Sequence, residues 1–365
     1  MSSTDSVAAE RGLPGEGLLS LPGRVALGGW SLALGGGALL GAALLAVSLG
    51  SVDIPLGTVV RILLSRVPGL GVEQTWPETW DQIIWQIRLP RVVLAGLVGA
   101  TLAFSGAAYQ GVLRNPLADP YLIGVAAGAG LGASVVIVSS VPYAFHTLSL
   151  LPLAAFLGAL LAVALSYSLA RSNGAAPTVT LILAGVAVSS VATSITSFLI
   201  LVHNERAVTL LAWLMGGFNT STWEKVGVVA PYALVGAAAV MAHGRLLNVL
   251  QLSEEEARQL GVPVERVKLL LVVAASLAAA AAVSVCGLIG FVGLIVPHAV
   301  RLALGPDYRR LIPVSMLTGG AFLILADLVA RSLLSPTEVP VGIITAMAGA
   351  PFFLWLLRRQ KRALW

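Results

Sequence analysis

The chain has 365 residues, 57% of them hydrophobic and 11% charged, with a mean hydropathy of +0.92 and a net charge of +5. A soluble domain carries about 25% charged residues, so this composition excludes one and specifies an integral membrane protein.

Residues 1–24 are polar, with Asp5, Glu10 and Glu16 and little basic character, unlike a cleavable signal. They are expected to form a disordered cytoplasmic lead. Eight uncharged runs follow, at 25–52, 92–113, 120–170, 172–204, 226–244, 269–300, 311–326 and 339–357. About 20 apolar residues cross a bilayer, so two of these runs must contain breaks. The run 120–170 breaks between Ser139 and His146, where Pro142 cannot donate a backbone hydrogen bond. The run 269–300 breaks between Cys286 and Gly290, at paired glycines. Ten spans result, the ninth extending past Asp327 towards Ser335. An even number leaves both termini on one side, and the 22 lysines and arginines divide 15 to 7 in favour of that side. Cytoplasmic loops are the basic ones, so both ends are predicted to be cytoplasmic. The net charge then follows from topology and calls for no nucleic-acid partner.

Between the first two spans, Asp53, Glu73, Glu78 and Asp81 accompany Trp76, Trp80 and Trp85, which suit an interfacial belt. Asn115-Pro-Leu-Ala-Asp-Pro120 reads as an inner turn, with Asp119 capping the next helix. Gly124, Gly128 and Gly132 form a stripe that lets another helix approach closely. In the fifth span Ser190, Ser194 and Ser197 recur at i, i+4 and i+7, with Ser189, Thr193 and Thr196 one position behind. Such hydroxyls either bond back to their own helix or form a wettable, uncharged channel wall. Trp213-Leu-Met-Gly-Gly-Phe218 is too short to span and is expected to be a small helix at the outer surface.

The densest charge cluster is a soluble helix, Ser253-Glu-Glu-Glu-Ala-Arg-Gln-Leu260. Ser253 and Glu256 fit a capping box, Glu254 and Glu255 suit the positive helix N-terminus, and Gly261 and Pro263 stop it. Its isolation suggests a docking point for another protein. Gly-Lys occurs nowhere in the chain, so a Walker A phosphate loop is absent, and any ATP must be bound by a different polypeptide. The four histidines lack metal-ligand spacing and no G-x-S-x-G elbow is present, so neither a catalytic site nor a metal site is expected. His298 is assigned a structural hydrogen-bonding role. The single cysteine, Cys286, is read as a small buried hydrophobe.

Six motifs then appear in series: Arg88-Leu-Pro-Arg91, Asn115 to Pro120, Ala257-Arg-Gln-Leu-Gly261, Gly290-Phe-Val-Gly-Leu-Ile-Val-Pro-His298, Ala326-Asp-Leu-Val-Ala-Arg331, and Glu338-Val-Pro-Val-Gly342 with Gly349-Ala-Pro351. Together, over about 25–359, they resemble the permease subunits of bacterial ABC importers for ferric siderophores, haem and cobalamin, the FecCD type. The resemblance implies an all-α, ten-helix permease domain of type II importer architecture at 25–359, with a cytoplasmic coupling loop at 245–266 and a tail at 360–365. It implies a homodimer in the bacterial cytoplasmic membrane with the substrate path between subunits. It also implies two cytoplasmic ATPase subunits that hold the ATP and Mg, and a periplasmic or lipid-anchored substrate-binding protein.

By the same resemblance, Ser253, Glu254, Glu256, Ala257, Arg258, Leu260 and Gly261 form the helix that fits a cleft in the ATPase. Arg88, Arg91 and Arg331 receive glutamates of the binding protein, a task suited to arginine's planar, permanently charged fork. Otherwise Asp327 and Arg331, one turn apart, pair with each other, and Arg88 and Arg91 act as interfacial anchors. Ser190, Thr193, Ser194 and Ser197 are candidates for the path. Asn173, Gly174, Pro177 and Thr178 lie where the cytoplasmic gate of similar permeases forms. The expected function is ATP-driven import of a metal chelate by alternating access, with a ferric siderophore first, then a corrinoid or haem. An ion-driven secondary transporter is the alternative; it would need a membrane-embedded carboxylate, for which Asp327 is the only candidate.

Overall fold

The computed structural model describes residues 29–50, 52–139, 144–145, 148–172, 176–252 and 254–362. The predicted lead at 1–24, the gate-loop residues Asn173 and Gly174, Ser253 of the soluble helix, and 363–365 of the tail lie outside the described residues.

The helices run α1 (Trp30–Ser48), α2 (Leu56–Ser65), α3 (Glu78–Gln82), α4 (Leu89–Val112), α5 (Val125–Val138), α6 (Leu150–Ala170), α7 (Thr178–Val202), α8 (Ala207–Leu214), α9 (Trp223–Ala242), α10 (Gly244–Val249), α11 (Glu254–Gln259), α12 (Val264–Cys286), α13 (Val292–Leu304), α14 (Tyr308–Ser332) and α15 (Val341–Arg362). A two-residue hairpin, β1 (Ala144–Phe145) and β2 (Leu148–Ser149), joins α5 to α6 at the predicted break. Among the described residues, seven helices are long and apolar enough to cross a membrane: α1, the continuous stretch ending in α4, α6, α7, α9, α12 and α14. The shorter apolar helices α5, α13 and α15 occupy the remaining three predicted positions, giving a ten-span, all-α polytopic fold. The end of the bundle that carries α11 is labelled inner and the opposite end outer.

The second span is longer than the uncharged run predicts. A π-helical turn, Ile83–Arg88, fuses α3 to α4 into one 35-residue helix. Pro90 cannot donate to the helical ladder, and the wider turn directly ahead of it accommodates the interruption. Arg88 and Arg91 therefore lie within a helix rather than at its entry.

Burial separates core from periphery. Membrane-length windows of α4 and α12 are 78% and 72% buried, against 17% for α7. Close approach depends on glycine. A Cβ on Gly99 would stand 2.3 Å from the carbonyl oxygen of Gly319, and one on Gly106 would stand 2.0 Å from that of Gly293. These contacts seat α14 and α13 against α4. The predicted stripe works in the same way: Gly128 and Gly132 meet the backbone of Gly158 and Ala154 on α6.

Asp119 caps the next helix as expected, here the 3-10 turn Pro120–Ile123 that precedes α5, accepting from the Tyr121 amide at 2.7 Å. Trp76 is buried, with the Arg61 guanidinium 5.7 Å from its ring centroid. The segment Trp213–Phe218 is not a helix of its own: α8 ends at Leu214, Met215 is exposed and Gly216 is buried. After α8 the chain turns at Gly216 (φ +67°), the Gly217 amide donates to the Cys286 carbonyl at 2.8 Å, and Phe218 is buried. Gly342 donates to the Met215 carbonyl at 3.2 Å, so the end of α8, the α12–α13 turn and the start of α15 converge. Buried irregular backbone of this kind needs partners, and each segment supplies the others' bonds. Cys286 is buried as expected. His298 is buried, but neither ring nitrogen finds a hydrogen-bond partner; it packs edge-on to Phe352, with ring centroids 6.1 Å apart.

Candidate functional site

The residues expected to act fall at three levels. At the outer end the structure brings Arg88, Arg91 and Arg331 together. Arg88 is buried and donates to the carbonyls of Val47 and Ser48, each at 2.8 Å, and to that of Val52. Those are orphan acceptors at the C-terminus of α1, where a cation is also favoured by the helix dipole. In this arrangement Arg88 caps a helix. Arg331 donates to the Ala46 carbonyl on the same helix end.

Arg91 lies between two acids. Its Nε and Nη2 meet the two oxygens of Asp327 at 2.9 and 2.8 Å, while Nη1 and Nη2 meet Glu338 at 2.7 and 3.0 Å. The pairing of Asp327 with Arg331 offered by helical spacing is thus secondary: Arg331 Nε stands 4.0 Å away. Asp327 is committed to a buried bidentate bridge, so it does not serve the ion-driven alternative. Glu338 belongs to the Glu338–Gly342 motif, and nothing in the sequence pairs it with Arg91.

At mid-depth, α7 turns Ser190, Thr193, Ser194 and Ser197 to the outside of the subunit. Ser190 donates back to the Val186 carbonyl at 2.8 Å and follows the local reading. No hydrogen bond within the described residues engages Thr193, Ser194 or Ser197. Val179, Leu183 and Leu201 flank this polar patch along the same exposed face.

At the inner end, α11 carries the expected soluble helix. It ends in the Schellman arrangement: Gly261 (φ +78°) donates to the Arg258 carbonyl at 2.9 Å, and Val262 to that of Ala257 at 3.1 Å. Ala257 is fully buried and so lies on the bundle side of this helix. Glu255, Glu256, Arg258 and Leu260 are exposed. Residues unforeseen from the sequence tie this loop to the bundle. Gln251 donates to the Gly111 carbonyl at 3.1 Å, Arg114 to that of Leu252 at 3.1 Å, and Asn248 to Asp307 at 2.7 Å. The Arg309 guanidinium beside Asp307 holds that carboxyl well below its ordinary range. Glu265, in the first turn of α12, accepts from the Ala176 amide at 3.3 Å. That contact reaches the expected gate loop just ahead of Pro177 and Thr178, where α7 begins. The segment ahead of the exposed helix is thus hydrogen-bonded to the inner ends of α4 and α14, and α12, which follows the helix, to the segment ahead of α7.

A family model for the FecCD transport family matches residues 38–359. The chain belongs to the FecCD transport family. It is 47% identical to the cobalamin import system permease protein BtuC of Halobacterium salinarum, over 87% of this chain and 89% of that one. It is 37% identical to the hemin transport system permease protein HmuU of Yersinia pestis, over 80% and 89% respectively. A solved metal-chelate type ABC transporter in an inward-facing conformation superposes with a TM-score of 0.77 at 32% identity, covering 90% of this chain and 98% of that chain. This FecCD protein is a multi-pass permease of an ABC importer, a translocation component with no catalytic activity of its own. Permeases of the family work with ATPase and substrate-binding partners.

Proposed function

We propose that two copies of this FecCD permease enclose a path for a metal chelate, with both termini cytoplasmic, and that partner ATPases drive it by alternating access. The observation that carries this reading is the exposed, unbonded trio Thr193, Ser194 and Ser197. Hydroxyls facing lipid without a partner cost roughly 1–3 kcal/mol each, whereas a water-filled path or a second subunit satisfies them. Such a wall suits a bulky cargo bound mainly by a separate protein. The exposed face of α11 docks the ATPase, and its movement passes through Glu265 to the start of α7. Of the three outer arginines, Arg91 and Arg331 keep some exposure and meet the binding protein, while Arg88 supports them from below.

A cobalamin-like corrinoid is the first cargo, supported by the 47% identical relative named for cobalamin import. A ferric siderophore or haem is the second reading, supported for haem by the relative named for hemin transport. Proteoliposomes containing the permease, its ATPase and its binding protein should transport cyanocobalamin only when ATP is supplied. Transport by the permease alone under an ion gradient would overturn the proposal; ATP-dependent movement of a ferric siderophore or haem without cobalamin would transfer it to the second cargo.

A further inference from the structure

The outer cluster contains more donors than acids. Arg91 and Arg331 share the acids Asp327 and Glu338, while Arg88 spends its donors on the carbonyls of Val47, Ser48 and Val52 and feels the charge of Asp53. The buried Nε of Arg331 has no hydrogen-bond acceptor, its closest carboxylate oxygen being 4.0 Å away.

The two acids already present differ. The Asp327 side chain is 2% exposed and held within α14, whereas that of Glu338 is 39% exposed. Glu338 ends the 333–338 stretch, every residue of which is exposed. Only two residues separate it from α15, whose first amides bond to Gly216 and Met215. Met215, Phe291, Gly342 and Met347 line an apolar groove of about 830 Å³ that opens beside this start. The bridge from Arg91 to Glu338 therefore fixes the entrance of α15 and one edge of that groove.

We propose that Glu338 is an internal occupant of a carboxylate receptor. It holds the outward part of the Arg91 guanidinium while the permease is unengaged, and a carboxylate presented by the substrate-binding protein takes its place. The inference rests on the docking role of Arg91 given above and adds that docking is an exchange. One partly exposed bridge replaces another of similar strength, so affinity stays modest while the α14–α15 segment is released. Asp327 keeps Arg91 oriented throughout, which spares the cluster an unpaired buried guanidinium.

The test measures binding of the permease–ATPase complex, in nanodiscs, to its cognate substrate-binding protein. Glu338→Gln removes the competing charge at constant size and leaves Asp327 in place. Affinity should rise by about fivefold, the scale of one partly exposed ion pair. In Arg91→Lys, which keeps the charge and loses the fork, affinity should fall, and adding Glu338→Gln to it should restore little. Glu338→Ala provides a second removal of the competitor should the glutamine variant fold poorly. Unchanged or weaker binding in both Glu338 variants, with Arg91→Lys still weakened, overturns the exchange and leaves docking intact. Wild-type affinity in Arg91→Lys overturns the docking role itself.

Discussion

Arg91 grips Asp327 through both carboxylate oxygens, with Nε at 2.9 Å and Nη2 at 2.8 Å, joining residues 236 positions apart in the chain. The contact fastens α4, in the core, to α14, whose outer end also holds the C-terminus of α1 through Arg331. Three helices that converge near the outer surface are thereby fixed relative to one another by charge, in a region where small residues dominate the packing.

Removing the acid should be costly. Asp327→Ala leaves a largely buried guanidinium with Glu338 alone, and loss of one member of a buried pair costs about 3–5 kcal/mol. The detergent-solubilised protein should melt at a markedly lower temperature. Asp327→Ala combined with Arg91→Leu should recover part of the loss; additive effects would show that the two side chains act independently.

The glycine contacts predict a sharp contrast. Gly106→Ala places a methyl 2.0 Å from the Gly293 carbonyl oxygen, so α4 and α13 must separate, at a cost of about 1–3 kcal/mol or more. Gly227→Ala, on α9, meets nothing within 4 Å. Size-exclusion profiles after mild heating should lose the folded peak for the first variant and match wild type for the second.

On α11 exposure separates two apolar residues. Leu260 is 64% exposed and Ala257 is 0%. Leu260→Asp should abolish stimulation of the ATPase while the permease still folds and melts normally. Ala257→Asp buries an unpaired charge and should lower the melting temperature instead. Normal ATPase stimulation in Leu260→Asp would remove this residue from the docking face.

Asp119 gives the inner turn a pH dependence. Burial pushes its carboxyl up from 3.8 to about 6, although the Tyr121 and Leu122 amides favour the charged form. An acid whose folded value lies above its ordinary one binds a proton more readily in the folded state, so stability falls as pH rises between 3.8 and about 6. Asp119→Asn keeps an acceptor for the Tyr121 amide and removes the titration. Melting curves should lose this decline across that window; an unaltered decline would place it on another group.

The sequence by itself determined the class, the ten spans and the places where they break, because apolar length and proline or glycine interruptions are local properties. It also marked the soluble helix and its Gly261 stop, since capping depends on neighbours in the chain. Its criterion of uncharged runs failed at the second span, where Arg88 and Arg91 lie within a helix: those charges are neutralised by carbonyls and carboxylates from α1, α14 and the segment after α14. Only the tertiary structure decided that Asp327 belongs to Arg91 and not to its helical neighbour Arg331. It alone buried Ala257 and His298, and gave Glu338 and Glu265 partners more than eighty residues away. Charge pairing and burial depend on which helix faces come together, and in a chain this uniformly apolar those faces are set by glycine contacts between distant segments.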